Sequence, residues 1–230
     1  MQTENGKLIE GKRKTASLEV FTFLFLILPS MIFSFFAVKG GGFNFTMMGI
    51  ATIFRDLALV FLILFFLWRN REGVSEIGWK FKNRWTDVVI GVAVFFPFFL
   101  GSSLLDQQLQ DLGLSNPSKP LPLSSATISP LEILIAFVLV VVVAWSEETI
   151  FRGYLILRFK TITESPLAAV VLSAFVFSLG HGYEGSAGVI TVGFMGVVFG
   201  LVYLWRKSLI APMVIHFLQD FCTILILPLL

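Results

Sequence analysis

The chemistry this chain can offer is concentrated in two adjacent glutamates, the chain's two histidines and one aspartate, all within or beside apolar runs. The glutamates stand in Trp145-Ser146-Glu147-Glu148-Thr149-Ile150-Phe151-Arg152, directly after an apolar stretch that begins at Ile133. Glu148 and Arg152 are four residues apart, the spacing at which side chains meet on one helical face. Glu147 is rotated by about 100° from its neighbour and lacks that partner, so it is free to point into a cavity and accept a proton as a general base. The second group is Phe177-Ser178-Leu179-Gly180-His181-Gly182, and the third is His216-Phe217-Leu218-Gln219-Asp220. His216 and Asp220 again share the four-residue spacing, so Asp220 could accept from one ring nitrogen, fix the tautomer and turn the other nitrogen to a cavity. Each group also has a plainer reading: a helix end solvated among headgroups, a hydrogen-bonded structural histidine, and a polar pair joining two helices.

The elements that must hold these residues are apolar. No glycine or proline interrupts Leu131 to Arg152, so one helix is expected to run through the acidic pair. Apolar runs occur at about Val20–Val38, Met47–Trp68, Val88–Leu105, Leu131–Ser146 (continuing as helix), Leu167–Leu179, Ala187–Trp205 and Leu209–Leu230. A span needs roughly 20 predominantly apolar residues. The expected fold is therefore all-α: a polytopic transmembrane helical bundle of about seven spans (6–8), its site among the late helices. Residues 1–124 would supply the N-terminal helices, with a basic cytoplasmic arm and loop, and residues 125–230 the helices that carry the chemistry. Asp106 to Pro130, with Pro117, Pro120, Pro122 and Pro130, reads as an irregular outer loop ending in a proline helix start. Arg69 to Trp85 mixes Ile77, Trp79, Phe81 and Trp85 with basic residues and suits either an interfacial stretch or a plain loop with belt aromatics. Arg55-Asp56, inside the second run, reads as a paired charge, and whether the early spans gate access stays open.

Composition supports the membrane reading and removes several others. The chain has 230 residues, 56% hydrophobic and 14% charged, with 26 Phe; its mean hydropathy is +0.87. Soluble domains carry about 25% charged residues. The single Cys222 cannot pair within its own chain, which excludes a disulfide scaffold. A net charge of +2 without a basic patch interleaved with aromatics gives no case for nucleic acid. Lys7, Lys12, Arg13 and Lys14 precede the first run, which is longer than a signal core and is followed by Lys39-Gly40-Gly41-Gly42 without a persuasive cleavage site. It reads as an uncleaved span. Alternate polar segments hold 13 basic residues against 2, which places the N-terminus in the cytoplasm.

The three groups can converge. About 16–18 residues separate Glu147 from a turn near Thr163–Pro166, and about as many lead from there to His181, so both legs of an antiparallel hairpin are roughly 25 Å. That hairpin sets Glu147 deep, whereas the hydropathy boundary at Ser146 sets it near the interface. A hairpin of the fourth and fifth helices projecting beyond the bilayer reconciles the two.

Glu147-Glu148-x-x-x-Arg152, Phe177-x-x-x-His181 and His216-x-x-x-Asp220, in that order, resemble the CPBP family over about residues 125–230. That family comprises the type II CAAX prenyl endopeptidases and their bacterial relatives, some described as bacteriocin-processing or immunity proteins. The resemblance implies an all-helical membrane protease whose site opens towards the cytoplasm; relatives have been called both metalloproteases and glutamic proteases, and a hydrolase of glutamic type is expected here. It implies that Glu147 activates water with help from His181, that Glu148 and Arg152 organise Glu147, and that His216 faces the developing oxyanion. Asp220 stands where eukaryotic CAAX enzymes usually have Asn; it cannot donate while ionised, and orientation of His216 is the expected role.

The expected substrate is a peptide or lipidated protein held with membrane lipids: a prenylated CAAX-type tail, or a membrane-anchored precursor if the host is bacterial. The expected location is the plasma membrane of a prokaryote. No cofactor is expected, but two Glu and two His keep zinc open, although the His-Glu-x-x-His signature of zincins is absent. A non-enzymatic immunity or scaffold protein is the competing class. A transporter using the acidic pair as a proton relay is the third, weakened by the lack of internal half-symmetry.

Overall fold

The structure is a computed structural model that describes residues 2–37, 45–115 and 129–227. The described residues form seven helices and no strand: α1 (Gln2–Ala37), α2 (Phe45–Asn70), α3 (Arg84–Asp111), α4 (Pro130–Thr163), α5 (Pro166–Leu179), α6 (Gly185–Arg206, after a 3₁₀ turn at Gly182–Glu184) and α7 (Ile210–Ile226). Each expected apolar run lies in its own helix. The run end at Val38, the Lys39–Gly42 segment, Pro117, Lys119, Pro120, Pro122 and the last three residues of the seventh run lie outside the described residues.

Four helices are long and apolar enough to cross a membrane, namely α2, α3, α4 and α6 with its leading turn, and α5 and α7 are shorter apolar helices. Large apolar side chains on the outside of the bundle, including Phe21, Phe25, Phe54, Phe61, Phe96 and Leu100, are exposed. Such a surface suits lipid rather than water. The chain is an all-helical, multi-pass integral membrane protein.

Local chemistry sets the helix ends nearest the site. Ser129 and Glu132 form a reciprocal capping box, with Pro130 in the first turn of α4, as the proline start anticipated. The helix then continues for 34 residues. At 1.5 Å per residue that is about 51 Å, well beyond a hydrocarbon core of about 30 Å. Glu147 therefore sits near the middle of α4 rather than at its end. The helix stops where Glu164 turns to φ 59°, and Ser165 then caps α5, accepting from Ala168 N–H at 3.2 Å. The apolar run of α3 ends at Leu105, yet the helix continues to Asp111, so the outer loop begins later than its composition indicated.

α5 and α6 pack closely because Gly196 and Gly200, one turn apart, face Ala174 and Val170. A Cβ on either glycine would lie 2.8 Å from Ala174 Cβ or 2.7 Å from Val170 Cγ1. The helix ends on the basic side are tied by a buried network around Glu19. Its Oε1 accepts from Arg69 (2.6 Å) and Asn70 (2.7 Å), and its Oε2 from Tyr154 (3.0 Å) and Arg158 (2.7 Å). Arg158 also donates to Glu72 with both Nη atoms. Glu19 had read only as part of a polar arm. It is 1% exposed and joins α1, α2 and α4.

Candidate active site

Six residues were expected to carry the chemistry, and the structure gathers five of them closely: Glu147, Glu148 and Arg152 from α4, and His216 and Asp220 from α7. The helix does run through the acidic pair, but from Glu148 to Leu155 it widens into a π-helix. π-turns recur at functional sites, because the extra residue per turn re-aims side chains that an α-helix would stack. Every residue of this segment is buried. Side chains bond carbonyls in and just ahead of it: Ser173 donates to Phe151 O at 2.6 Å within the segment, and Thr149 to Trp145 O at 2.8 Å before it.

Glu148 is the hub. It is fully buried, and its Oε1 accepts from Arg152 Nη1 at 2.9 Å and from His216 Nδ1 at 2.7 Å. A carboxylate oxygen can only accept, so Nδ1 is the donor to it. Glu148 on α4 thus holds the Nδ1 proton of His216, and with a second carboxylate beside Nε2 the ring suits the imidazolium, protonated on both nitrogens. Asp220 meets the ring as its spacing suggested, at the other nitrogen, with Oδ2 3.4 Å from Nε2. Glu147 Oε2 is 3.8 Å from the same Nε2. Arg152, 1% exposed, is clamped between two rings, its guanidinium carbon 4.2 Å from the centroid of Phe177 and 5.0 Å from that of Phe199. Phe199 also packs on His216, with ring centroids 5.6 Å apart.

His181, the sixth, is held one step away. The hydrogen bond from Ser173 to Phe151 O and the Phe151–Phe177 ring contact at 5.0 Å fix the register of α4 against α5. One turn beyond Phe151 is Glu147, and one turn beyond Phe177 is His181, so the two come level. The imidazole lies 4.7 Å from the Phe177 ring and 5.8 Å from that of Tyr183. Its Nδ1 is 3.0 Å from Phe177 O; a carbonyl only accepts, so Nδ1 donates and Nε2 is left for another partner.

Two features were not legible from spacing. Trp79, in the segment between α2 and α3, donates from Nε1 to Thr149 Oγ1 at 3.2 Å and packs at a tilt against Trp145, ring centroids 5.5 Å apart. Ile77 beside it is fully buried, and a Cβ on Gly153 would lie 2.6 Å from its carbonyl oxygen. Phe81 and Trp85 are exposed, so only half of the segment behaves as an interfacial stretch; the other half lies against the π-helix. The second feature is the burial of Asp56 on α2, which is 1% exposed; its pairing with Arg55 is as the sequence read.

Several buried polar atoms have no protein partner, among them Glu147 Oε2, Glu148 Oε2, Arg152 Nη2, Gln219 Oε1 and Asp56 Oδ2. Each costs about 1–3 kcal/mol if left unsatisfied. Such a concentration at one place marks a site kept for something other than packing. Among the described residues, no three His, Cys, Asp or Glu side chains are grouped to hold a metal ion. Glu148 Oε1 is already taken by His216 and Arg152.

No curated protein and no solved structure matches the chain. Residues 129–222, which hold all six site residues, match the model of one family, type II CAAX prenyl endopeptidase Rce1-like, and so bear out over that segment the resemblance carried by Glu147 to Asp220.

Proposed function

We propose that the protein is an intramembrane endopeptidase that hydrolyses a peptide bond in a membrane-associated substrate, with Glu147 activating the water. The observation that carries this reading is the Glu147 carboxylate. It is 8% exposed, has an unpartnered Oε2, and faces the Nε2 edge of a histidine whose other nitrogen is held by a second glutamate. A base needs a free lone pair within reach of a water molecule, and a developing oxyanion needs a fixed donor.

The chemistry balances as follows. Glu147 takes a proton from water as the oxygen adds to the scissile carbonyl carbon. The negative charge passes to the carbonyl oxygen, where Nε2–H of His216, an imidazolium between the Glu148 and Asp220 carboxylates, meets it. Collapse breaks the C–N bond, and Glu147 returns its proton to the departing amine. Glu148 fixes the ring through Nδ1, Arg152 holds Glu148, and Asp220 accepts from Nε2 until substrate arrives. His181, level with Glu147, offers Nε2 to the water or the substrate.

The substrate is a prenylated CAAX-type tail or, in a prokaryotic plasma membrane, a lipidated or membrane-anchored precursor. About seven spans, a cytoplasmic N-terminus and a site reached from the basic side complete the reading. Residues 1–124 are its supporting helices and residues 125–230 its catalytic ones.

Purified wild-type and Glu147→Ala protein, offered a fluorogenic prenylated peptide and a small peptide library with and without a zinc chelator, test this. Wild-type cleavage that survives chelator and is lost in the variant supports glutamate-activated water. Chelator-sensitive cleavage reassigns these side chains as zinc ligands. One observation favours a second, non-enzymatic reading: the Arg152–Glu148–His216 triad would by itself bind α4 to α7 in an immunity or scaffold protein. Under that reading, folded Glu147→Ala protein keeps its cellular phenotype.

A further inference from the structure

Asp56 lies outside the family-matched segment 129–222, in a helix whose composition gives it no evident task. Two contacts fix where it stands. α2 and α4 pack side by side, and a Cβ on Gly49 would lie 3.1 Å from Ile135 Cγ2 and 3.8 Å from Leu139 Cδ2. Further along the pair, Phe66 stacks on Tyr154 with ring centroids 6.2 Å apart. Both contacts give nearly the same offset between the two helices, which therefore run parallel. Asp56, two turns after Gly49, comes level with the turn that ends in Glu147. The groups facing Asp56 are Arg55 on its own helix, Glu147 on α4 and His181 after α5. Those around Glu147 are Asp56, Arg55, Arg152, Tyr183 and His216.

Asp56 is polarised in a way a mere ion pair does not need. Oδ1 takes both contacts from Arg55, from Nε at 2.9 Å and from Nη2 at 2.9 Å. Oδ2 is buried and unpartnered, as is Glu147 Oε2 on the adjacent helix. Two acceptor oxygens on adjacent helices, neither with a hydrogen-bond partner in the protein, suit a molecule that brings two donors. Water is the smallest such molecule, and a buried water needs about two to four polar partners.

Resting on the peptidase reading above, we infer that Asp56 is a further catalytic residue: it is the second acceptor for the attacking water, held between Asp56 Oδ2 and Glu147 Oε2. The hydrogen bonded to Glu147 is the one removed. The hydrogen bonded to Asp56 stays on the oxygen as it adds to the carbonyl carbon, so the oxygen lone pair is aimed at the substrate. Arg55 holds Asp56 by the other oxygen and keeps its carboxylate from turning. Asp56 thus orients the nucleophile and binds no part of the peptide.

The test is steady-state cleavage of a fluorogenic prenylated peptide by wild type, Asp56→Asn, Asp56→Glu and Glu147→Ala in the same detergent, with folding checked by helical circular dichroism and melting temperature. Asp56→Asn should lower kcat about 100-fold, the lower end of what a positioned acid–base group contributes, with KM changed less than about 3-fold. Asp56→Glu should recover at least about 10-fold of that loss, which a purely structural role does not explain, because the longer side chain disturbs packing more than the isostere does. Folded Asp56→Asn with wild-type kcat, or with a raised KM at unchanged kcat, overturns the role while leaving the peptidase reading intact. Wild type and Glu147→Ala that are equally inactive overturn both.

Discussion

Replacing Arg152 by Met keeps the length of the side chain and removes its charge. Arg152 is 1% exposed and its partner Glu148 is fully buried, so the variant leaves a carboxylate inside the bundle without its cation. Two magnitudes compete. If the contact at 2.9 Å within α4 counts only as an ordinary hydrogen bond, its loss is worth about 0.5–1.5 kcal/mol. If it is a buried ion pair, removing one partner costs about 3–5 kcal/mol. The lost attraction to the rings of Phe177 and Phe199 adds about 2 kcal/mol in a desolvated setting. His216 Nδ1 remains 2.7 Å from Glu148 and can carry part of the missing charge, which favours the lower end of the ion-pair range. The expected loss is therefore about 5 kcal/mol. Arg152→Lys retains the charge but not the flat contact with two rings, and should lose about 1–2 kcal/mol. The assay is equilibrium unfolding in mild detergent followed by tryptophan fluorescence, with Glu148→Gln and the double variant completing a cycle. The double variant should be less destabilised than the two singles together, by at least about 1 kcal/mol. An Arg152→Met protein within about 1 kcal/mol of wild type would refute the buried-pair argument.

The other perturbations act at a distance from the reacting groups. Glu19→Gln weakens a hub that accepts from Arg69, Asn70, Tyr154 and Arg158, and should destabilise the bundle by about 3 kcal/mol, read as a lower melting temperature, because Arg158 loses one of its buried anions. A melting temperature equal to that of wild type would show that Glu72 alone suffices for Arg158. Gly153→Ala places a Cβ 2.6 Å from Ile77 O, so the α2–α3 segment must shift away from the π-helix. Faster proteolytic nicking between residues 71 and 83 is expected in that variant, and an unchanged cleavage pattern would mean that the contact relaxes elsewhere.

What could be read from the residues alone was the local pattern. The seven apolar runs, the unbroken helix through Glu147-Glu148 and the Pro130 start depend on neighbours in sequence, and each is present as read. The pairing of side chains was only half legible. Spacing proposed Glu148 with Arg152 and His216 with Asp220; the structure has both pairs and adds the link between them, Glu148 against His216 Nδ1, which spacing did not propose. That link depends on how α7 sits against α4, about which four-residue spacing is silent. The π-segment was hidden because π- and α-helices draw on the same apolar residues, and the distinguishing hydrogen bond comes from Ser173 on another helix. Glu19 and Asp56 were hidden for the same reason. An acid beside a basic arm, or beside its own Arg55, looks self-sufficient until its partners on distant helices are known. The segment from Arg69 to Trp85 misled through composition, since Trp79 serves the hydrogen bond to Thr149 rather than the headgroup layer.

The central claim is that the Glu147 carboxylate is the base. It is tested most directly by the initial rate of peptide cleavage by purified Glu147→Gln protein against wild type, in the presence of a zinc chelator. Gln keeps the shape and hydrogen-bonding capacity of the side chain but cannot take the proton, so the account predicts a loss of at least about 100-fold in kcat with the fold intact. Cleavage by that variant at the wild-type rate would contradict it.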